Sequence, residues 1–390
     1  MVFEYICQLK KTQCMRKNIF IFLFPFLCFA QKQYSYENIQ LNSPYLFYED
    51  KREEQEIILS LIDAYFSKNL SYQDRATFWK YNGEEIDVRG GDLYFIEEKA
   101  NIGSYTPTIL SMLYIDGKYQ IRVAWMGNTP EDDKILATYN FLVNKDYQFE
   151  NMFDNQFDKF TKRKIKNLTF YYKNSKLFRK EDVKKALKFN KQMAEFFELP
   201  EIDFSCFIFD NYFEQKLLRG FDFDTDMRVG REKGGVAFPY LKVIFSGNGT
   251  AYYPHEVVRL YTRQKAKNEN SYLDEGIAVY FGGSGGLYFP QIMRELYSFL
   301  QQTDIDIYQI IETNDNLFVK TDIDFHYAFA ALLCHTILEH HGKEKLFELL
   351  DSGDDLDVFL DKIKATFSLK TEEFHNFFLK ELAKYVQYNK

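Results

Sequence analysis

The feature that most constrains this chain lies between residues 237 and 283. An apolar run, AFPYLKVIFSG, is followed by AYYPHEVVRLYT and then by LDEGIAVYFGG, with Glu275 sixteen residues past Arg259. The first run reads as a strand. The segment opening at His255 reads as a helix carrying Val258 and Leu260 among charged residues, and Glu275 begins a second helical segment. His255 and Arg259, four residues apart, share one helical face.

A zinc-peptidase helix of the form HExxH sets two imidazoles one turn apart with a glutamate beside the first, and a further glutamate on a following helix completes the metal site. Residues 167 to 390 resemble the peptidase-MA-like gluzincin metallopeptidases, in particular exported bacterial members whose HE helix is followed by an EGxAxYxGG segment. The resemblance implies that His255 is the first metal ligand, Glu256 the general base that deprotonates zinc-bound water, and Glu275 the third ligand. It also implies a sheet edge, here Phe238 to Ser246, along which a peptide or protein segment is laid by strand addition. His326 or Tyr327, in a downstream helix, is then the expected oxyanion-stabilising residue.

Arg259 departs from that pattern, because it stands where the second histidine belongs. A guanidinium has no free lone pair and stays protonated, so it cannot ligate zinc. Three readings follow. In the first, Arg259 replaces the metal as a fixed cation bridging Glu275 and also Glu256, and no cofactor is expected. In the second, zinc is held by His255, Glu275 and another residue such as His326, His335 or a tyrosine, and the peptidase is active. In the third, His255 is an ordinary helix-start residue. Contact between Arg259 and Glu275 favours the first.

With 390 residues and 46% apolar content, the chain has material for two domains. Met15-Arg16-Lys17 followed by NIFIFLFPFLCF reads as a signal peptide, with Met15 as the true start and cleavage before Gln31. Export to the periplasm, cell surface or medium follows, with no transmembrane span in the mature chain. The formal charge of −8 becomes −11 once the first thirty residues and their net +3 are removed. No basic face stands out, which excludes nucleic acid. Cys206 and Cys334 sit in apolar segments and read as buried thiols.

The expected class is α+β. Residues 31 to 155 form an N-terminal unit: a helix over Glu54 to Phe66, a hairpin turning at Asp116-Gly117, and a third strand whose inward row is Ile135, Ala137, Tyr139, Phe141 and Val143. Its order resembles the cone-shaped nuclear-transport-factor-like layout. Residues 151 to 166 read as a linker or connecting helix, and 156 to 390 as the gluzincin-like domain with a mixed sheet and a helical C-terminal part. There LTFYY and FSCFIF are strands, a helix runs from Lys180 to Glu198, and Gly342 caps the helix that starts near His326. GFDFDTDM lacks the Gly and Glu of a calcium loop and reads as a solvated acidic turn.

Overall fold

A computed structural model describes residues 36–390 apart from 44–47, 69, 81–90, 103, 131, 228–231, 314, 316, 321–322 and 389–390. Residues 1–30, whose sequence reads as a signal peptide, lie outside the described residues. Over the first part of the chain the elements are β1 (Gln40–Leu41), α1 (Arg52–Tyr65), α2 (Tyr72–Ala76), α3 (Gly91–Ile102), β2 (Tyr105–Ile115), β3 (Lys118–Gly127), β4 (Ile135–Val143) and β5 (Phe149–Asn151). Next come β6 (Thr161–Ile165), β7 (Leu168–Tyr172), α4 (Lys180–Phe197), β8 (Phe204–Ile208), α5 (Tyr212–Arg219), β9 (Phe221–Asp224), β10 (Gly235–Phe238) and β11 (Val243–Ser246). Helices then dominate: α6 (Pro254–Lys265), α7 (Ser271–Gly282), α8 (Phe289–Gln302), α9 (Ile307–Thr313), α10 (Phe325–Leu350), α11 (Leu356–Phe367) and α12 (Thr371–Tyr388), with a ribbon of β12 (Phe318–Lys320) and β13 (Ile323–Asp324) before α10. The class is α+β. Residues 1–158 with 216–231 form one compact unit, and 159–215 with 232–390 a second.

In the first unit the sheet runs β1-β2-β3-β4-β5, antiparallel except at β1–β2. Alternation on β3 puts Tyr119, Ile121, Val123 and Trp125 into the core, facing the buried Ile58, Leu59 and Ile62 of α1. On β4 the inward row is Ala137, Tyr139, Phe141 and Val143. Ile135, expected to join it, is 37% exposed, because the β3–β4 register shifts between Ala124 and Met126.

Strand β9 pairs antiparallel with β4, so GFDFDTDM is not a solvated turn. Asp222 pairs with Arg122 at 2.7 Å, and the buried Asp224 accepts from Lys216 at 2.9 Å. Beside it, Arg219 Nε donates to the buried carboxylate of Asp92 at 2.9 Å. Gly220 joins these contacts at φ 115°; its carbonyl accepts from Asn140 N at 2.7 Å, and a Cβ there would lie 2.5 Å from Asn140 O. Gly220→Ala is therefore expected to destabilise the protein by about 2 kcal/mol. Calorimetric unfolding measures this, and an unchanged melting temperature refutes it.

The second unit holds a mixed sheet, β10-β11-β8-β7-β6, in which β7, β8 and β11 are parallel neighbours and the two edges are antiparallel. Leu168, Phe170, Phe204, Cys206 and Ile244 share a core with Val183, Ala186, Met193 and Phe197 of α4. Cys206 and Cys334 are buried free thiols. Residues 151–166 are not a linker helix: a short 3-10 turn, Asp154–Lys159, leads into edge strand β6. AFPYLKVIFSG likewise is not one strand. Pro239 lacks the N–H to continue it, a 3-10 turn forms over Pro239–Leu241, and Lys242 at φ 53° sends the chain back as β11. The sheet edge is thus Gly235–Phe238, whereas Val243–Ser246 is interior, paired on both sides. Gly342, at φ 78°, breaks α10 before its last turns. Among the described residues no helix is long and apolar enough to cross a membrane.

Candidate functional site

Strand β11 delivers the chain through a short loop to Pro254, the first residue of α6, a position where a missing N–H costs nothing. His255 and Glu256 therefore sit in the first turn of α6, and both are buried. Helix α7 starts at its cap Asn270, whose side chain accepts from Leu273 N at 2.9 Å, placing Asp274 and Glu275 in the buried first turns. At the far end of α7, Gly282 lets the two helices touch. A Cβ there would lie 2.4 Å from the His255 backbone, so only glycine brings the Gly283 carbonyl within 2.9 Å of His255 Nδ1.

The side chains close into an ion-pair cluster. His255 Nε2 lies 2.9 Å from Glu275 Oε1, Arg259 Nη1 donates to Glu275 Oε2 at 3.2 Å, and Arg259 Nε lies 3.2 Å from Asp274 Oδ2. Thr262 Oγ1 donates to Asp274 Oδ1 at 2.5 Å. Glu256 points elsewhere: its Oε2 accepts the outward N–H of Ala237 on edge strand β10 at 2.8 Å. Arg259 thus bridges Glu275 and Asp274, not Glu256.

Burial by itself favours a neutral imidazole at His255. The adjacent Glu275 carboxylate, with Glu256 behind it, outweighs burial and pushes the ring up to about 9 from 6.5. The ring is therefore an imidazolium at neutral pH. Burial raises Asp274 against the opposing pull of Arg259 and the Thr262 hydroxyl. For Arg259, burial opposes the charge, but Glu275 and Asp274 fix it more firmly than in water. Its side chain is 38% exposed, so the guanidinium faces carboxylates on one side and solvent on the other.

These donors do not fit a zinc ion. A zinc-bound histidine presents a neutral nitrogen lone pair. Here Arg259 stands where a second imidazole would be needed and has no lone pair to offer, and its guanidinium lies against Glu275 Oε2 and Asp274 Oδ2. Among the described residues no group of three or more His, Cys, Asp or Glu side chains is arranged to hold a metal. Tyr327 lies near enough to Arg259 for the two to interact electrostatically. His326 does not join the cluster: its Nε2 meets Asp315 O at 3.0 Å and its ring packs on Tyr272. His335 is packed among Tyr280, Phe289 and Tyr385.

Sequence reasoning missed Asp274, Thr262, Ala237 and Gly282. Asp274 adjoins Glu275 and was findable from the one-turn reach of an arginine; the Ala237 N–H depends on the unforeseen hairpin. Comparison with protein-family models, curated proteins and solved structures returns no match. The geometry therefore carries the functional reading.

Two outcomes follow. The raised His255 value means that its contribution, on the order of 3 kcal/mol, is fully present below pH 6.5 and lost as pH rises through about 9. Urea unfolding across pH 6 to 10 measures this loss, and His255→Gln flattens it. Arg259→Ala leaves Asp274 and Glu275 facing each other with one cation fewer, costing about 2 kcal/mol after allowance for solvent at the guanidinium. Unfolding of that variant at pH 7, indistinguishable from the unmutated protein, would refute a structural role for Arg259.

Proposed function

We propose that this protein is an exported, peptidase-MA-like metallopeptidase homologue in which the Arg259 guanidinium takes the place of the zinc charge, leaving a peptide-binding or scaffold role. The observation that carries this reading is the bridge from Arg259 to Glu275 and Asp274, with His255 protonated on the same carboxylate. Peptide hydrolysis by this chemistry needs an electrophilic metal to activate water and a base free to take its proton. Arg259 supplies charge without a coordination site, and Glu256 is held by the Ala237 N–H. The same edge strand, Gly235–Phe238, is where a peptide segment would add. The N-terminal unit is read as nuclear-transport-factor-like in layout, from its helices followed by antiparallel strands.

An active zinc peptidase with a rebuilt ligand set is the second reading. The nearness of Tyr327 to Arg259 is what favours it, since a rotation of Arg259 toward solvent would let that phenol approach Glu275. Elemental analysis of the purified mature protein separates the two. The expected result is no stoichiometric zinc in the unmutated protein and about one zinc per chain in Arg259→His, which restores a second imidazole one turn from His255. One zinc per unmutated chain, with casein hydrolysis abolished by Glu256→Gln, would overturn the proposal.

A further inference from the structure

The sheet of the second unit ends at β6, at the opposite edge from β10, and β6 carries a concentration of charge that the whole-chain balance conceals. From Lys159 to Lys180 the sequence holds nine Lys or Arg and no Asp or Glu, in a chain with 57 acidic and 49 basic residues. The reading that no basic face stands out is true of the chain as a whole and not of this edge. Lys162, Arg163 and Lys164 on β6 are exposed, as are Lys166 in the turn after it and Lys176 beyond β7. Among the described residues no carboxylate lies within ion-pair distance of Arg163, Lys164, Lys166 or Lys176. Glu201, near the turn, meets Asn167 Nδ2 at 3.5 Å instead.

The main chain of β6 is open on the same side. Among the described residues β6 pairs with β7 alone. Two residues, Lys166 and Asn167, join the strands, with Lys166 at φ 54° and Ile165 opposite Leu168, so the turn closes on a bond between those two residues. Hydrogen-bonded and non-hydrogen-bonded pairs alternate along an antiparallel ladder. Arg163 is therefore bonded to β7, and the N–H and C=O of Lys164 point away from it. An edge of that kind is a template for another extended strand.

The side chains say what kind of strand. Successive residues of β6 point to opposite faces of the sheet. Arg163 stands opposite Phe170 and lies 4.9 Å from the Phe178 ring, on the face that packs against α4. Lys164 stands opposite Thr169 on the other face. The charges thus straddle the edge. A planar lipid surface would meet one face only, whereas the side chains of a strand laid along β6 fall beside both, where opposite charges on neighbouring strands attract. A second copy of β6 would set like charges against each other. We propose that the β6 edge takes up an extended acidic segment of a partner protein by strand addition, its Asp or Glu side chains pairing with Arg163 on one face and Lys164 on the other. The proposal stands apart from the zinc question, which concerns the β10 end of the sheet.

The full mature protein is titrated calorimetrically with a short peptide alternating glutamate with threonine. One control is the same peptide N-methylated along its central residues, which keeps the charge and removes the main-chain donors; another replaces its glutamates with lysine. The expected result is saturable binding that weakens by about tenfold or more with either control peptide and in the double variant Arg163→Glu/Lys164→Glu, checked for folding by circular dichroism. Added salt is expected to weaken it as well. Absence of binding means that the charges only guard the edge against self-pairing, and overturns the proposal. Equal binding of the N-methylated peptide, which would show attraction by charge alone, also overturns it, as does binding unchanged in the double variant. Tighter binding of phosphatidylglycerol vesicles or of duplex DNA than of the peptide, at physiological salt, would assign the surface to a membrane or to nucleic acid and overturn it too.

Discussion

The Glu275 carboxylate, with His255 against one oxygen and Arg259 against the other, is the interaction that ties helix α6 to helix α7 in the second unit. A buried carboxylate is tolerable only when paired, and two cations pair it from a single face of α6. That arrangement fixes the protonation of His255, since an imidazole beside one carboxylate and in the field of another keeps its proton. It fixes the guanidinium too, which reaches past Glu275 to Asp274. Glu256, on the next position around the helix, turns to the open N–H of the edge strand instead.

The consequence is an ion-pair cluster whose charges satisfy one another. A metallopeptidase site works by leaving a coordination position and a base unsatisfied until water and substrate arrive. On the reading proposed above, Arg259 and the Ala237 N–H occupy what such a site would leave open, and Gly282 allows α6 and α7 to approach closely there.

Much of the architecture was legible because its signals are local. The alternation of Tyr119, Ile121, Val123 and Trp125, the turn at Asp116-Gly117, the apolar face of Val183, Ala186 and Met193, and the break at Gly342 each depend on a few neighbouring residues. What failed depended on distant partners. Phe221–Asp224 is a strand only because β4, some eighty residues earlier, offers an edge to it. Pro239 converts one apolar run into two strands because the chain finds β8 on its return.

The sequence by itself determined that a His-Glu helix start and an arginine one turn on share a helical face, and that a guanidinium cannot ligate a metal; the later glutamate was joined to them only by the family resemblance. Only the tertiary structure decided which carboxylates that arginine meets. Asp274 and Glu275 are presented by a second helix whose approach is set by Gly282, and Glu256 is drawn away by a main-chain N–H that exists only because β10 ends the sheet. Contacts of that kind are set by packing between elements, and no local pattern of residues encodes them.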